Sequence, residues 1–269
     1  MKFVILMFLF CFIPLLAFCK QQEKSDAEIV LKSDAYIFVP VIVIGFSQWN
    51  WGDPKFRKGN EKFFQETSRY GGVDKIGHFY SSYLISDLLS KKFVADGIEM
   101  ERASLYGAGS SFALATLIEI GDATSKKYGF SYEDQVMNTL GALASYVLLN
   151  SPSLNKKIDF KIDYIPTSNP LGMDDYEGMR FLASLKLSGF DFARNNFWRF
   201  IEIQTNYSAP GYADRKINKS REWGVGVALN VNEVIDYFSG KKTSKYVNGF
   251  FEYYQPRYTY GGYERDLNN

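Results

Sequence analysis

Cysteine is nearly absent from this 269-residue chain: the only two are Cys11 and Cys19, both within the first twenty residues. A mature chain cut after them has no thiol, which excludes disulfides, cysteine–metal sites and thiol redox chemistry. Histidine is scarcer still, with His78 alone. An excess of either charge is also missing. Lys and Arg total 31 against 30 Asp and Glu, for a net charge of +1, and no basic stripe appears. Nucleic acid is therefore excluded as a partner. Phosphate-loop, dinucleotide, nucleophile-elbow and EF-hand patterns are absent; Gly224-Val-Gly226 lies within an alternating, strand-like run rather than before a helix.

Aromatic residues are what the chain has in plenty: they make up 17%, with 19 Tyr and 23 Phe. That proportion suits β-rich or membrane-facing surfaces. The N-terminus carries one early lysine, an apolar run and Ala17 and Cys19 in small-residue positions, followed by polar Lys20-Gln-Gln-Glu-Lys. This describes a secretory signal over 1–19 and export from the cytoplasm to the periplasm or cell envelope, the outer membrane included. Lipidation at Cys19 is an alternative to simple cleavage, against which Phe18 is a poor match to a lipidation signal. A linker is expected over 20–33.

The stretch Ala35–Trp49 is almost wholly apolar and shorter than the ~20 residues of a straight membrane span. It reads as a buried helix broken at Pro40 or as a shallow membrane segment. Three amphipathic helices are expected after it: about twenty residues from Asp74, then about Glu99–Ile120, then one opened by Ser131. Asp74 is placed to cap the first. Gly107, Ala108, Gly109, Ser110 and Ser111 in the second would allow another helix to come close. Ser131 and Asp134 form a capping-box pattern for the third.

Polar residues inside these apolar segments are the candidate site. Asp74 and His78 share a helical face. Glu119 follows an apolar run, and a buried carboxylate needs a partner or a raised pKa. Asp134 and Asn138 lie one turn apart. His78, Glu119 and Asp122 are the candidate catalytic residues; Asp74, Lys75, Tyr83, Asp134 and Asn138 complete a binding or structural cluster. One imidazole without cysteine argues against a tight zinc site, so no metal or cofactor is assigned.

Beyond Asn150 the pattern changes. A loop-like stretch over 155–175 leads to period-two segments at Met179–Leu187, Phe197–Tyr207 and Trp223–Val231 and to an aromatic run at Phe250–Tyr260, with a short helix over Asn232–Phe238. These predict an antiparallel sheet of about four strands with one buried face. The same alternation resembles outer-membrane hairpins, although four strands do not close a barrel. The expected fold is α+β, with a helical domain over 34–151 and a β region over 152–269.

The residues Asp74-Lys-Ile-Gly-His78 and Tyr83, then Glu119 and Asp122, then Tyr128-Gly-Phe-Ser-Tyr-Glu-Asp134 with Asn138 and Gly141, resemble the YfiM-type predicted periplasmic lipoproteins, domain of unknown function 2279. The likeness extends into Asp175-Tyr176, Asn206-Tyr207 and Gly211-Tyr212. The helical half is also similar to VanZ-type membrane proteins, which share the order Asp-Lys, His, Glu and a Ser-x-x-Asp-x-x-x-Asn-x-x-Gly helix. Both resemblances imply an envelope protein and neither implies a reaction. The function expected is that of an exported, membrane-associated protein whose polar cluster is structural or binds a ligand. The alternative is a hydrolase or transferase acting on lipid or cell-wall material. Membrane lipid or another envelope protein is the expected partner.

Overall fold

A computed structural model describes residues 25–167, 175–212, 219–240 and 245–268. The segment read as a secretory signal, with Cys11 and Cys19, lies outside the described residues. The chain divides into two compact units: a helical one of residues up to 63 together with 78–150, and a sheet unit of 64–77 together with 151–269.

In the helical unit, α1 (Asp26–Gln48) begins inside the segment expected as a linker, capped by Ser25, whose Oγ accepts the Glu28 N–H. Its apolar run continues through Pro40 without the expected break. Proline removes one N–H from the ladder, and the hydrogen bonds of the flanking turns carry the helix past it. Next come α2 (Val73–Ala95), whose first turn belongs to the sheet unit, α3 (Met100–Ala123) and α4 (Tyr132–Asn150). Ile29 of α1, Leu89 and Phe93 of α2, Ile98 and Ala103 form one buried apolar cluster.

Two glycines set the helix spacing. A Cβ on Gly107 of α3 would lie 2.1 Å from the Ser90 Oγ of α2, and one on Gly141 of α4 would lie 2.0 Å from the Phe79 carbonyl oxygen. Neither approach is open to a larger residue. The small stripe predicted in α3 thus serves close packing.

The sheet unit begins with a short helix, α5 (Pro152–Asn155), and then β1 (Ile158–Tyr164), a strand lying in the segment expected as a loop. β2 (Met179–Lys186), β3 (Ile201–Ser208), β4 (Glu222–Leu229), α6 (Val231–Ser239), α7 (Lys245–Tyr253) and β5 (Tyr260–Asp266) complete it. The fold is α+β as expected, with five strands in the order β1-β2-β3-β4-β5, all antiparallel. The aromatic run expected as a strand over 250–260 is instead the end of α7 and a turn. Its Phe250, Phe251 and Tyr254 stack on one another at helical spacing.

The polar face of the sheet is the more completely buried one; the apolar face is buried only along the row Ile162, Phe181 and Tyr207. Asp159, Lys161, Asp163, Ser184, Glu202 and Gln204 are buried, whereas Ile203, Trp223, Val225, Val227 and Leu229 on the opposite face are exposed. Curvature accounts for the inversion. The Gln255 N–H donates to the Ile162 carbonyl at 3.0 Å, and Arg257 Nε and the Tyr260 hydroxyl donate to Asp163 at 2.9 and 2.7 Å. The chain entering β5 therefore returns to β1 and encloses the polar face. Inside, the Lys161 ammonium donates to both oxygens of Glu202 at 2.7 Å and to Gln255 at 3.2 Å. Pairing and hydrogen bonding of this completeness are what permit charge in an interior.

Candidate functional site

Three helices of the helical unit supply the site. His78 stands one turn into α2, Glu119 near the end of α3, and Asp134 in the first turn of α4. Ligand-capable atoms of all three lie within 4.8 Å of one another. Glu119 and Asp134 are buried, while the His78 side chain keeps 27% of its surface exposed and so connects the group to solvent.

The α4 N-terminus positions both carboxylates. Ser131 caps that helix, its Oγ accepting the Asp134 N–H at 3.2 Å. In a complete capping box the third residue's side chain would accept the cap's own N–H. Here Glu119 takes that place, its Oε2 accepting the Ser131 N–H at 2.9 Å. Asp134 Oδ2 instead lies 3.6 Å from His78 Nε2. Half the predicted box forms, and the substitution of Glu119 for the other half assembles the site.

The imidazole is oriented from behind. His78 Nδ1 lies 3.3 Å from Asn138 Oδ1, which also accepts the Ser82 hydroxyl at 3.0 Å. An amide oxygen at Nδ1 favours the tautomer with the proton there, and this leaves the Nε2 lone pair facing the carboxylates. The 3.6 Å gap from Nε2 to Asp134 exceeds hydrogen-bond length.

Burial and like charge act together on the acids. Burial first, then the neighbouring Asp134, raises Glu119 to about 8 against an ordinary value of 4.5, despite the lowering effect of the Ser131 N–H. Burial also raises Asp122 to about 6, opposed by the hydrogen bond from Trp51. That indole donates to Asp122 Oδ1 at 2.8 Å while its ring covers Gly45 and Gly121, where a Cβ would lie 2.1 and 2.3 Å from it. Trp51 is thus a partner that no sequence spacing linked to Asp122.

His78, Glu119, Asp134 and Asn138 come together, with Asp122 held to one side by Trp51. Tyr83 is buried in the same unit. Asp74 and Lys75 belong to the sheet unit and form a buried pair at 2.9 Å. Asp74 is not the helix cap: α2 starts one residue earlier, at Val73. Ser82 was missed, although its place one turn after His78 was the available signal.

Residues 60–150 match the family model DUF2279, described as a predicted periplasmic lipoprotein. That span holds every residue of the cluster. It also places the protein among exported proteins of the periplasm and cell envelope, and the apolar N-terminal stretch is compatible with a signal sequence or an anchor. No curated protein and no solved structure matches.

Proposed function

We propose that the protein is a membrane-associated envelope component whose helical unit binds one divalent cation through His78, Glu119 and Asp134. The convergence of one imidazole nitrogen and two carboxylates from three helices within 4.8 Å carries this reading. Two facing buried carboxylates repel each other, and a proton or a cation relieves that repulsion. Two oxygens and one nitrogen, without sulfur, suit Mn²⁺ better than a four-coordinate structural zinc. Asn138 then holds the ligating imidazole from its far side, as metal-bound histidines are commonly held.

Membrane association is supported by apolar side chains turned to solvent. Leu31, Tyr36, Val39, Val43 and Phe46 project from α1, and Val136, Leu140, Leu143 and Val147 from α4. By length and composition alone, α1 and α3 are long and apolar enough to cross a membrane. In the sheet unit, exposed Phe197, Trp198, Tyr237 and Phe238 gather where β3 begins and β4 ends, with Phe200 against Tyr237 at 5.4 Å. Aromatic residues beside an apolar strand face are a common feature of membrane interfaces.

The test is titration of the chelator-stripped full chain with Mn²⁺, followed by electron paramagnetic resonance. One ion per chain is expected, with affinity falling at least tenfold in Asp134→Asn and His78→Asn. Absence of binding, or unchanged binding in both variants, would sink the proposal. A second reading, an envelope hydrolase or transferase, is favoured by one observation: Glu119, near 8, is placed to exchange protons at neutral pH beside a solvent-connected imidazole. It requires Glu119→Gln to abolish turnover of a lipid or cell-wall substrate while the fold, read by circular dichroism, is retained.

A further inference from the structure

Two loops of the helical unit lie side by side at the end where α1 and α3 finish and α4 begins: a strap over 49–63 and the α3–α4 loop over 124–131. Lys58 and Phe130 form a parallel bridge, in which the Gly59 N–H donates to the Phe130 carbonyl at 2.7 Å and the Phe130 N–H to the Arg57 carbonyl at 2.9 Å. Gly129 permits the approach, because a Cβ there would lie 2.7 Å from the Gly59 nitrogen. The contact gathers Lys55, Arg57, Lys58, Lys62, Lys126 and Lys127, which form no basic run in the sequence. Only Asp53 and Glu61 oppose them within the two loops. At the other end of the helices, where Arg102 pairs with Asp26, residues 26–34 and 87–102 hold seven acids against four bases.

The fold uses few of the gathered bases. Arg57 pairs with Asp53 and donates to the Lys55 and Ser125 carbonyls. Lys126 comes no nearer to Asp53 than 3.9 Å, with 79% of its side chain exposed. Lys55, Lys58 and Lys127 are exposed and form no ion pair among the described residues; Lys127 lies over the Tyr128 ring at 4.7 Å. The buried acids beneath them are already held, Glu119 by the Ser131 N–H, Asp122 by the Trp51 indole and Glu133 by the Lys62 N–H. Exposed like charges gathered in this way repel one another and attract anions.

Aromatic rings stand among these lysines. Phe56 and Tyr132 are 63% and 61% exposed, Phe56 set against Phe130 and Tyr132 against Phe63, each pair at 6.1 Å. The exposed apolar rows of the helices run up to the same loops, reaching Phe46 of α1 and Ile120 of α3 and starting from Val136 in α4. Apolar side chains, then aromatic rings, then bases is the order met on passing from acyl chains to phosphates. A nucleic acid or an acidic protein would engage the bases and leave the apolar rows in water. We propose that this end of the helical unit binds the anionic phospholipid headgroups of a bilayer, with Lys55, Lys58 and Lys127 meeting the phosphates. The inference rests on the membrane association proposed above, to which it adds the lipid class and the end of the bundle that meets it.

Flotation of the full chain with phosphatidylcholine vesicles, and with vesicles holding about a third phosphatidylglycerol, tests this. The anionic vesicles should bind roughly tenfold tighter or more at low salt, and the difference should shrink at high salt as the charges are screened. Lys55→Gln, Lys58→Gln and Lys127→Gln combined should remove most of the difference at an unchanged melting temperature. Lys156→Gln, Arg194→Gln and Arg265→Gln combined, which remove the same charge from exposed positions of the sheet unit, should preserve it. Equal binding of the parent to both kinds of vesicle overturns the proposal and leaves membrane association standing. A sheet-unit variant that loses as much as the lysine variant also overturns it, and a chain that floats with neither vesicle overturns both readings.

Discussion

Glu119 is the residue on which the helical site turns. Its folded pKa lies near 8 against 4.5 in a free chain, so between those values the folded state holds a proton that the unfolded state has released. The stability this contributes is complete below about 4.5 and is lost as pH rises through about 8. The cation-free protein should therefore melt at progressively lower temperature across that window. Glu119→Gln should flatten this part of the profile, as measured by circular dichroism melts at half-unit steps. Asp122 adds a smaller loss of the same sign up to about 6, which remains in the variant. Mn²⁺ should reverse the trend in the parent, because binding needs the deprotonated carboxylates and strengthens as they form. A flat parent profile would show that Glu119 is not the buried acid described.

Among the elements, the α2–α4 contact is the tightest constraint on the site, because it brings Asn138 to His78. Gly141 approaches the Phe79 carbonyl, a backbone atom that cannot rotate away. Gly141→Ala is expected to cost about 1–3 kcal/mol, the usual cost of overpacking. Gly109, in the same kind of helical setting, has nothing within 4 Å of a built Cβ. Gly109→Ala should be stabilising by about 0.5–1 kcal/mol through helix propensity alone. Denaturant titration of the two variants checks both signs, and equal effects would contradict the packing described. The glycines look alike in sequence, and only the neighbouring helix separates them.

At the scale of the whole molecule, the exposed apolar side chains of α1, α4 and the outer sheet face carry a prediction for the membrane proposal. The purified full chain should float with phospholipid vesicles in a density gradient. Val225→Lys combined with Val227→Lys, on the exposed face of β4, should reduce the floating fraction without lowering the melting temperature. A parent chain that sediments apart from vesicles of every charge would count against membrane association. The period-two pattern was legible and correctly indicated antiparallel strands. Its polarity was not, because alternation is the same whether apolar residues point in or out. The return of residues 254–260 onto β1 decides that question.

The compartment, the α+β class, the helices that carry His78, Glu119 and Asp134, and most of the strands are legible in the amino-acid order alone. Periodicity, signal composition and residue chemistry are local properties, readable in a window of a few turns. Which polar residues meet is set by long-range packing. Glu119 completes the cap of a helix twelve residues further on, Trp51 reaches Asp122 across 71 residues, and Asp74 pairs with its own neighbour Lys75. The basic end of the helical unit exists because two loops distant in sequence lie against each other. Contacts of that range depend on how helices approach and sheets curl, and spacing along the chain does not encode them directly.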